Sequence, residues 1–211
     1  MALESYLAGE DERQVQERRM RDAGRLPPGQ SLTLKWPVLH QGAIPRFDPA
    51  TWDLRIGGLV RAPLAVSYPE FMALPRTQLR SDFHCVTRWS RFDNDWEGVA
   101  LRELFARAQP RPEASHVMVL GHVGENRYGY STNLQLGDLD RPDVLLAFRH
   151  DGGDLSPEHG WPLRLIVPHL YAWKSCKWVR GLIFMEADKA GYWERLGYHM
   201  RGDPFSEERF G

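Results

Sequence analysis

Two stretches of the chain carry residue types that chemistry needs. In Asp82-Phe83-His84-Cys85-Val86-Thr87-Arg88-Trp89-Ser90-Arg91, a cysteine ends an alternating run and enters a polar loop holding two arginines. The thiolate is the nucleophilic and metal-binding form of cysteine, and nearby positive charge favours it, so Cys85 at the end of a strand suits metal ligation or nucleophilic attack. The plainer alternative is a small buried hydrophobe. The second stretch, His159-Gly160-Trp161-Pro162-Leu163-Arg164-Leu165-Ile166-Val167-Pro168, leads into Tyr171-Ala172-Trp173-Lys174-Ser175-Cys176-Lys177-Trp178. Cationic groups, a hydroxyl and free backbone amides gathered around one turn suit a phosphate or pyrophosphate ligand. A basic edge strand with solvated lysines is the alternative. Tyr130, in Tyr128-Gly129-Tyr130-Ser131-Thr132-Asn133-Leu134, is either a strand tyrosine with a buried ring or a hydroxyl donor to an oxyanion or metal-oxo group. Spacing does not choose between these.

These groups must be held by short elements. Residues 3–24 are charge-rich and free of proline, which predicts a solvated helix ended by Leu26-Pro27-Pro28-Gly29. Short extended runs follow at 32–36, 52–56 and 77–85, the last with Leu79, Ser81 and Phe83 alternating with Arg80, Asp82 and His84. Ser67-Tyr68-Pro69-Glu70 has capping-box spacing and opens a short helix through about Leu74. Val99, Leu101, Leu104, Phe105 and Ala108 share one helical face, and Pro110 stops that helix. Beyond it the runs at 117–120, 128–134, 144–148, 163–167 and 179–185 favour strands, with a turn at Asp151-Gly152-Gly153-Asp154. No βαβ rhythm and no repeat is sustained. The fold class is therefore mixed, strand-rich α+β with short helices: a charged, helical N-terminal arm over 1–30 and one domain over 31–211.

Composition narrows the function classes. The 211 residues, 42% hydrophobic and 26% charged, suffice for one globular core. A formal charge of −1 gives no global attraction to nucleic acid or anionic lipid. No run of apolar residues is long enough to span a membrane, and the charged opening of the chain is unlike a signal peptide, so the expectation is a soluble cytoplasmic protein without membrane insertion. Two cysteines, Cys85 and Cys176, are too few for a disulfide framework or a four-thiolate metal site, and the eight histidines lack zinc-site spacing. Phosphate-loop, dinucleotide, metalloprotease and nucleophile-elbow motifs are missing.

Taken in order, the cysteine loop at 84–91, the strand at 130–136, the run Asp143-Val144-Leu145-Leu146-Ala147-Phe148 and the stretch from His159 to Trp178 resemble the molybdopterin domain of the sulfite oxidase family, closest to its small single-domain bacterial members. The resemblance runs from about Leu34 to Phe205. It implies a sulfite oxidase-type molybdopterin-binding fold and a molybdenum cofactor (Mo-molybdopterin), with Cys85 as the metal-ligating thiolate beside the two dithiolene sulfurs of the pterin. His159 and Arg164 match residues that hold the pterin. Ser175, Cys176 and Lys177 match the turn that grips its phosphate end, and His40 matches a histidine from the N-terminal part of the site. Tyr130 aligns with the tyrosine beside the metal-oxo group. The run from Gly191-Tyr192-Trp193 to Tyr198-His199 resembles the tail that closes the domain.

The chain also departs from that pattern. Val38 stands where sulfite oxidases place an arginine two residues before the histidine, and the residues after Cys85 carry a different basic pattern. Either Arg88 or Arg91 is then the candidate to steer an oxyanion, and the catalytic set is Cys85, Tyr130 and Arg88. The implied activity is an oxidoreductase moving an oxygen atom to or from a small sulfite-, sulfoxide- or N-oxide-like substrate, with electrons exchanged with a separate partner. The other readings are a non-catalytic molybdopterin carrier and a cysteine-nucleophile hydrolase.

Overall fold

The structure, a computed structural model, describes residues 11–211. The part of the expected N-terminal helix before residue 11 lies outside the described residues. Its remainder is α1 (Glu12–Asp22), opened by a reciprocal Asp11–Gln14 capping box and burying none of its side chains. Polar contacts fix it instead: Glu17 at its middle accepts from the Leu32 amide at 2.9 Å, and Arg25 just beyond its end pairs with Asp82 at 2.6 Å and Asp93 at 2.8 Å.

Two sheets enclose the core. The elements run β1 (Ser31–Leu32), β2 (Asp53–Gly58), β3 (Leu64–Ser67), α2 (Tyr68–Met72), β4 (Thr77–Cys85), β5 (Trp89–Ala100), α3 (Leu101–Ala108), β6 (His116–Val123), β7 (Asn126–Gln135), α4 (Leu136–Leu139), β8 (Leu145–His150), β9 (Gly153–Asp154), β10 (Arg164–Ile166) and β11 (Val179–Met185). One sheet has the order β1-β5-β8-β10, with β4 paired to β5 and β9 to β8. The other has the order β3-β2-β11-β6-β7. Most neighbours are antiparallel, but β1 runs parallel to β5 and β2 parallel to β11, so early strands complete sheets built from late ones. The inner faces of both sheets and α3, through Leu101, Leu104, Phe105 and Ala108, share the main core. A smaller cluster of Phe83, Trp96, Leu145, Ala147, Leu155 and Ile166 packs elsewhere on the first sheet, with Trp36 against it. The expected strand-rich α+β class is what the chain adopts.

Three expectations need correction. Of the run 32–36 only Leu32 lies in a strand, β1, because Trp36 leaves the sheet to stack on His159 and Pro37 has no amide to give a ladder. The expected polar loop after Cys85 is only a three-residue turn. Arg88 adopts a left-handed φ of 71° and its amide donates to the Cys85 carbonyl at 3.0 Å, which reverses the chain directly into the twelve-residue β5. The inward positions of β5 include Ser90 and Asn94, both fully buried, so polar residues face the core and hide the strand alternation. Val99, expected in the helix, belongs to this strand, which runs on to Ala100. Among the described residues no helix is long and apolar enough to cross a membrane.

Candidate active site

The hairpin β4–β5 delivers Cys85 to a cavity of about 340 Å³ whose wall also carries Arg164, Ser175, Cys176, Lys177, Tyr130 and His40. The cysteine turn and the cationic turn, distant in sequence, thus face one space. Aromatic rings make most of the remaining wall: Trp36, Phe83, Trp89, Trp173, Trp178, Trp193 and Tyr198. Trp193 and Tyr198 belong to the tail expected to close the domain.

Cys85 ends β4 opposite Trp89, with its sulfur 3.1 Å from the Thr87 hydroxyl. Burial pushes its thiol pKa up, against the hydrogen bonds of Thr87 and the charges of Arg164 and Arg209. The thiol is therefore neutral unless a cation takes the proton's place. The adjacent His84 is not a base for it: its Nδ1 is 2.8 Å from the Ser90 hydroxyl, and burial lowers its pKa to about 4.

Arg164 stands at the start of β10, where all three residues are buried. Its guanidinium lies over the rings of Phe83 and Trp36 and donates one hydrogen bond, from NH1 to the His159 carbonyl at 2.9 Å. Its Nε is buried without a partner, and among the described residues no carboxylate pairs with it. Burial lowers its pKa only to about 10, so the charge survives at neutral pH. Lys177 bonds the Leu39 carbonyl at 2.8 Å and the Glu158 carbonyl at 2.6 Å. Burial and the neighbouring Arg164 bring its pKa down to about 7.

The turn around these cations is held by its own backbone. The Leu165 amide donates to the Cys176 carbonyl at 2.8 Å, and the Val167 amide to the Ser175 hydroxyl at 3.0 Å. Gly121 lets the turn lie close: a Cβ there would come within 2.7 Å of the Lys177 carbonyl and 2.9 Å of the Cys176 sulfur.

Several expected residues stand elsewhere. Arg88 is exposed and turned toward Gly29, and it is not part of the cavity wall. Arg91 is bound to Asn94, His150 and Asp151. Lys174 does not join Lys177 at the cavity; it is buried against Glu194. His159 stacks flat behind Trp36, with ring centroids 3.7 Å apart, and reaches the site through the carbonyl that holds Arg164. The Tyr130 hydroxyl donates to the Trp173 carbonyl at 2.8 Å, so its proton is engaged while its ring walls the cavity. Sequence reasoning missed Trp36, Gln30 and Arg209. The Gln30 side chain caps the Cys85 carbonyl at 3.0 Å and Arg209 caps the Val86 carbonyl at 2.7 Å.

The donor set fits a pterin-bound metal. Among the described residues no three His, Cys, Asp or Glu side chains cluster to hold a metal ion. A metal ligated by Cys85 must take its other donors from a non-protein group, and sulfur suits a soft or high-valent centre. An unpaired buried arginine and a lysine bound only to carbonyls supply the charge that a phosphate would need.

Comparison with known proteins bears on the same residues. A family model described as the oxidoreductase molybdopterin binding domain matches residues 41–193. The chain is 45% identical over 194 residues to the uncharacterized oxidoreductase YuiH of Bacillus subtilis, covering 92% of this chain and 96% of that protein. It is 31% identical over 163 residues to the protein-methionine-sulfoxide reductase catalytic subunit MsrP of Gluconobacter oxydans, covering 71% of this chain and 52% of that one. Among solved structures, the sulfane dehydrogenase SoxCD from Paracoccus pantotrophus shares the fold with a TM-score of 0.60 and 21% identity, over 79% of this chain and 52% of that chain. The chain spans nearly all of YuiH and about half of the other two.

Proposed function

The chain belongs to the oxidoreductase molybdopterin binding domain family, and from that membership we propose that it is a molybdenum-dependent enzyme that moves an oxygen atom to or from a small oxo substrate in the cavity beside Cys85. The observation that carries the reading is the convergence on a single cavity of the Cys85 sulfur and two cations, Arg164 and Lys177, that have no carboxylate partner among the described residues. When bound, the cofactor supplies a metal that changes oxidation state by two as the oxygen atom passes.

The protein's own part is binding, orientation and exclusion of water. Cys85 ligates the metal. Arg164 and Lys177 neutralise the phosphate end of the pterin, with Ser175 and Cys176 shaping the turn, His159 holding Arg164 by its carbonyl, and His40 at the mouth. Tyr130 limits the space beside the metal. With Arg88 and Arg91 off the cavity wall and both wall cations assigned to the cofactor, an anionic substrate meets no free positive charge. The aromatic wall suits an uncharged, dipolar oxo compound such as a sulfoxide or N-oxide better than sulfite. A cytoplasmic location and a separate electron-transfer partner belong to the same proposal.

The test is metal analysis of matured protein, followed by a screen of sulfoxides, N-oxides and sulfite with an artificial electron carrier. Stoichiometric molybdenum and turnover of a neutral oxo compound support the reading. Correctly matured protein without molybdenum overturns it, and sulfite as the best substrate overturns the preference for uncharged compounds.

A further inference from the structure

The turn that presents Cys85 is held by side chains from outside the segment that the family model covers. Its three residues leave the Cys85 and Val86 carbonyls pointing away from the hairpin ladder. The first accepts from the Arg88 amide and from Gln30 Nε2, both at 3.0 Å. The second accepts from Arg209 NH1 at 2.7 Å, and Arg209 NH2 reaches Pro28 at 3.3 Å. Arg209 thereby ties the cysteine turn to the segment at Pro28, with its guanidinium over the Tyr171 ring at 5.1 Å.

A neutral donor would satisfy these carbonyls as well. Burying a cation costs several kcal/mol unless it is well paired, and Arg209 is buried with its Nε unpartnered. Its carboxylate neighbour is the half-exposed Glu207 at 3.7 Å. The positive charge is therefore retained beside the cysteine turn at a cost that backbone satisfaction alone does not explain.

We propose that Arg209 is a positioning residue for the metal centre, fixing the backbone next to the ligating Cys85 and holding a buried positive charge near it. This rests on the reading of Cys85 as the metal ligand. Reduction makes a metal centre more negative, so a nearby cation favours the reduced form and raises the midpoint potential.

The experiment uses holoenzyme with measured molybdenum content and follows the Mo(V) paramagnetic signal through a redox titration. Arg209→Met is expected to lower the midpoint potential and to change the shape of the signal. Arg209→Lys, which keeps the charge but lacks the two-carbonyl fork, is expected to restore the potential while the signal stays altered. A fully loaded Arg209→Met protein with the parent's potential and signal overturns the proposal. Should Arg209→Met fail to accumulate, Arg209→Lys decides: an altered signal at full metal content supports the assignment, and one identical to the parent's overturns it. A parent protein without molybdenum is a different failure, and it removes the proposed function itself.

Discussion

Lys174 Nζ lies 2.6 Å from Glu194 Oε1, with both side chains wholly shielded from solvent. The lysine also donates to the Asn133 carbonyl and side-chain oxygen and to the Met200 carbonyl, while Thr132 and Trp173 donate to the same carboxylate oxygen. The pair fastens the tail carrying Trp193 and Tyr198 to the floor under the cavity. The closing role of that tail is an interior ion pair as much as an apolar cover.

Removing one partner leaves the other charge buried. Glu194→Gln is expected to cost about 3–5 kcal/mol of stability, read from the midpoint shift in urea unfolding. A loss below about 1 kcal/mol would mean that the pair behaves like a solvated one and does not anchor the tail.

Cys85→Ser keeps a small polar side chain next to Thr87, so the fold should lose on the order of 1 kcal/mol. At measured molybdenum content, the Mo(V) paramagnetic signal of the purified variant should change, because a serine hydroxyl lacks the soft sulfur donor. A loaded Cys85→Ser protein whose Mo(V) signal matches the parent's would remove this cysteine from the centre.

The pKa of Lys177 near 7 makes anion binding by the cofactor-free protein sensitive to pH. The ammonium is present below that value and lost above it, so sulfate, whose own charge is constant over this range, should bind more weakly as pH rises through 7, by at most about tenfold per pH unit. Arg164 remains charged across this range. Calorimetric titration of the parent and of Lys177→Met checks the assignment: the variant should bind weakly at every pH and show a flat profile.

Burial lowers His84, His150 and His159 to about 4. Their unfolded value is near 6.5, so between these limits the unfolded chain binds more protons than the folded one. Stability is full above about pH 6.5 and declines as pH falls toward 4, below which these three groups add no further slope. Thermal unfolding from pH 8 to 4 should show that decline. A flat profile across the window would mean that the rings charge freely in the folded state.

Much of the framework around the site could be read from local pattern, because strands and caps are local. The strand ending at Cys85 keeps its expected bounds, 77–85, and Ser67 and Glu70 form the expected capping box. Within the run from His159 to Lys177, Arg164, Ser175, Cys176 and Lys177 line one cavity. What was hidden depends on distance in the fold. Lys174 and Lys177 are alike in sequence, and only the position of Glu194 draws one into the core while the other lines the cavity. Arg88 looked like a substrate-facing charge, but its left-handed backbone turns it outward. Arg209 carried no signal at all, since a lone arginine near a chain end has no periodicity or motif to mark it.

The parallel pairing of β2 with β11 brings Arg55 opposite Gly181, and β11 is the central strand of its sheet. A nascent polypeptide still missing that strand has β2–β3 and β6–β7 as separate ribbons with nothing to join them. The cationic turn that precedes β11 must also leave the ribosome before the cavity can close. Retention of the prosthetic group therefore has to wait for β11, and translation products that stop before it should be unable to hold the group.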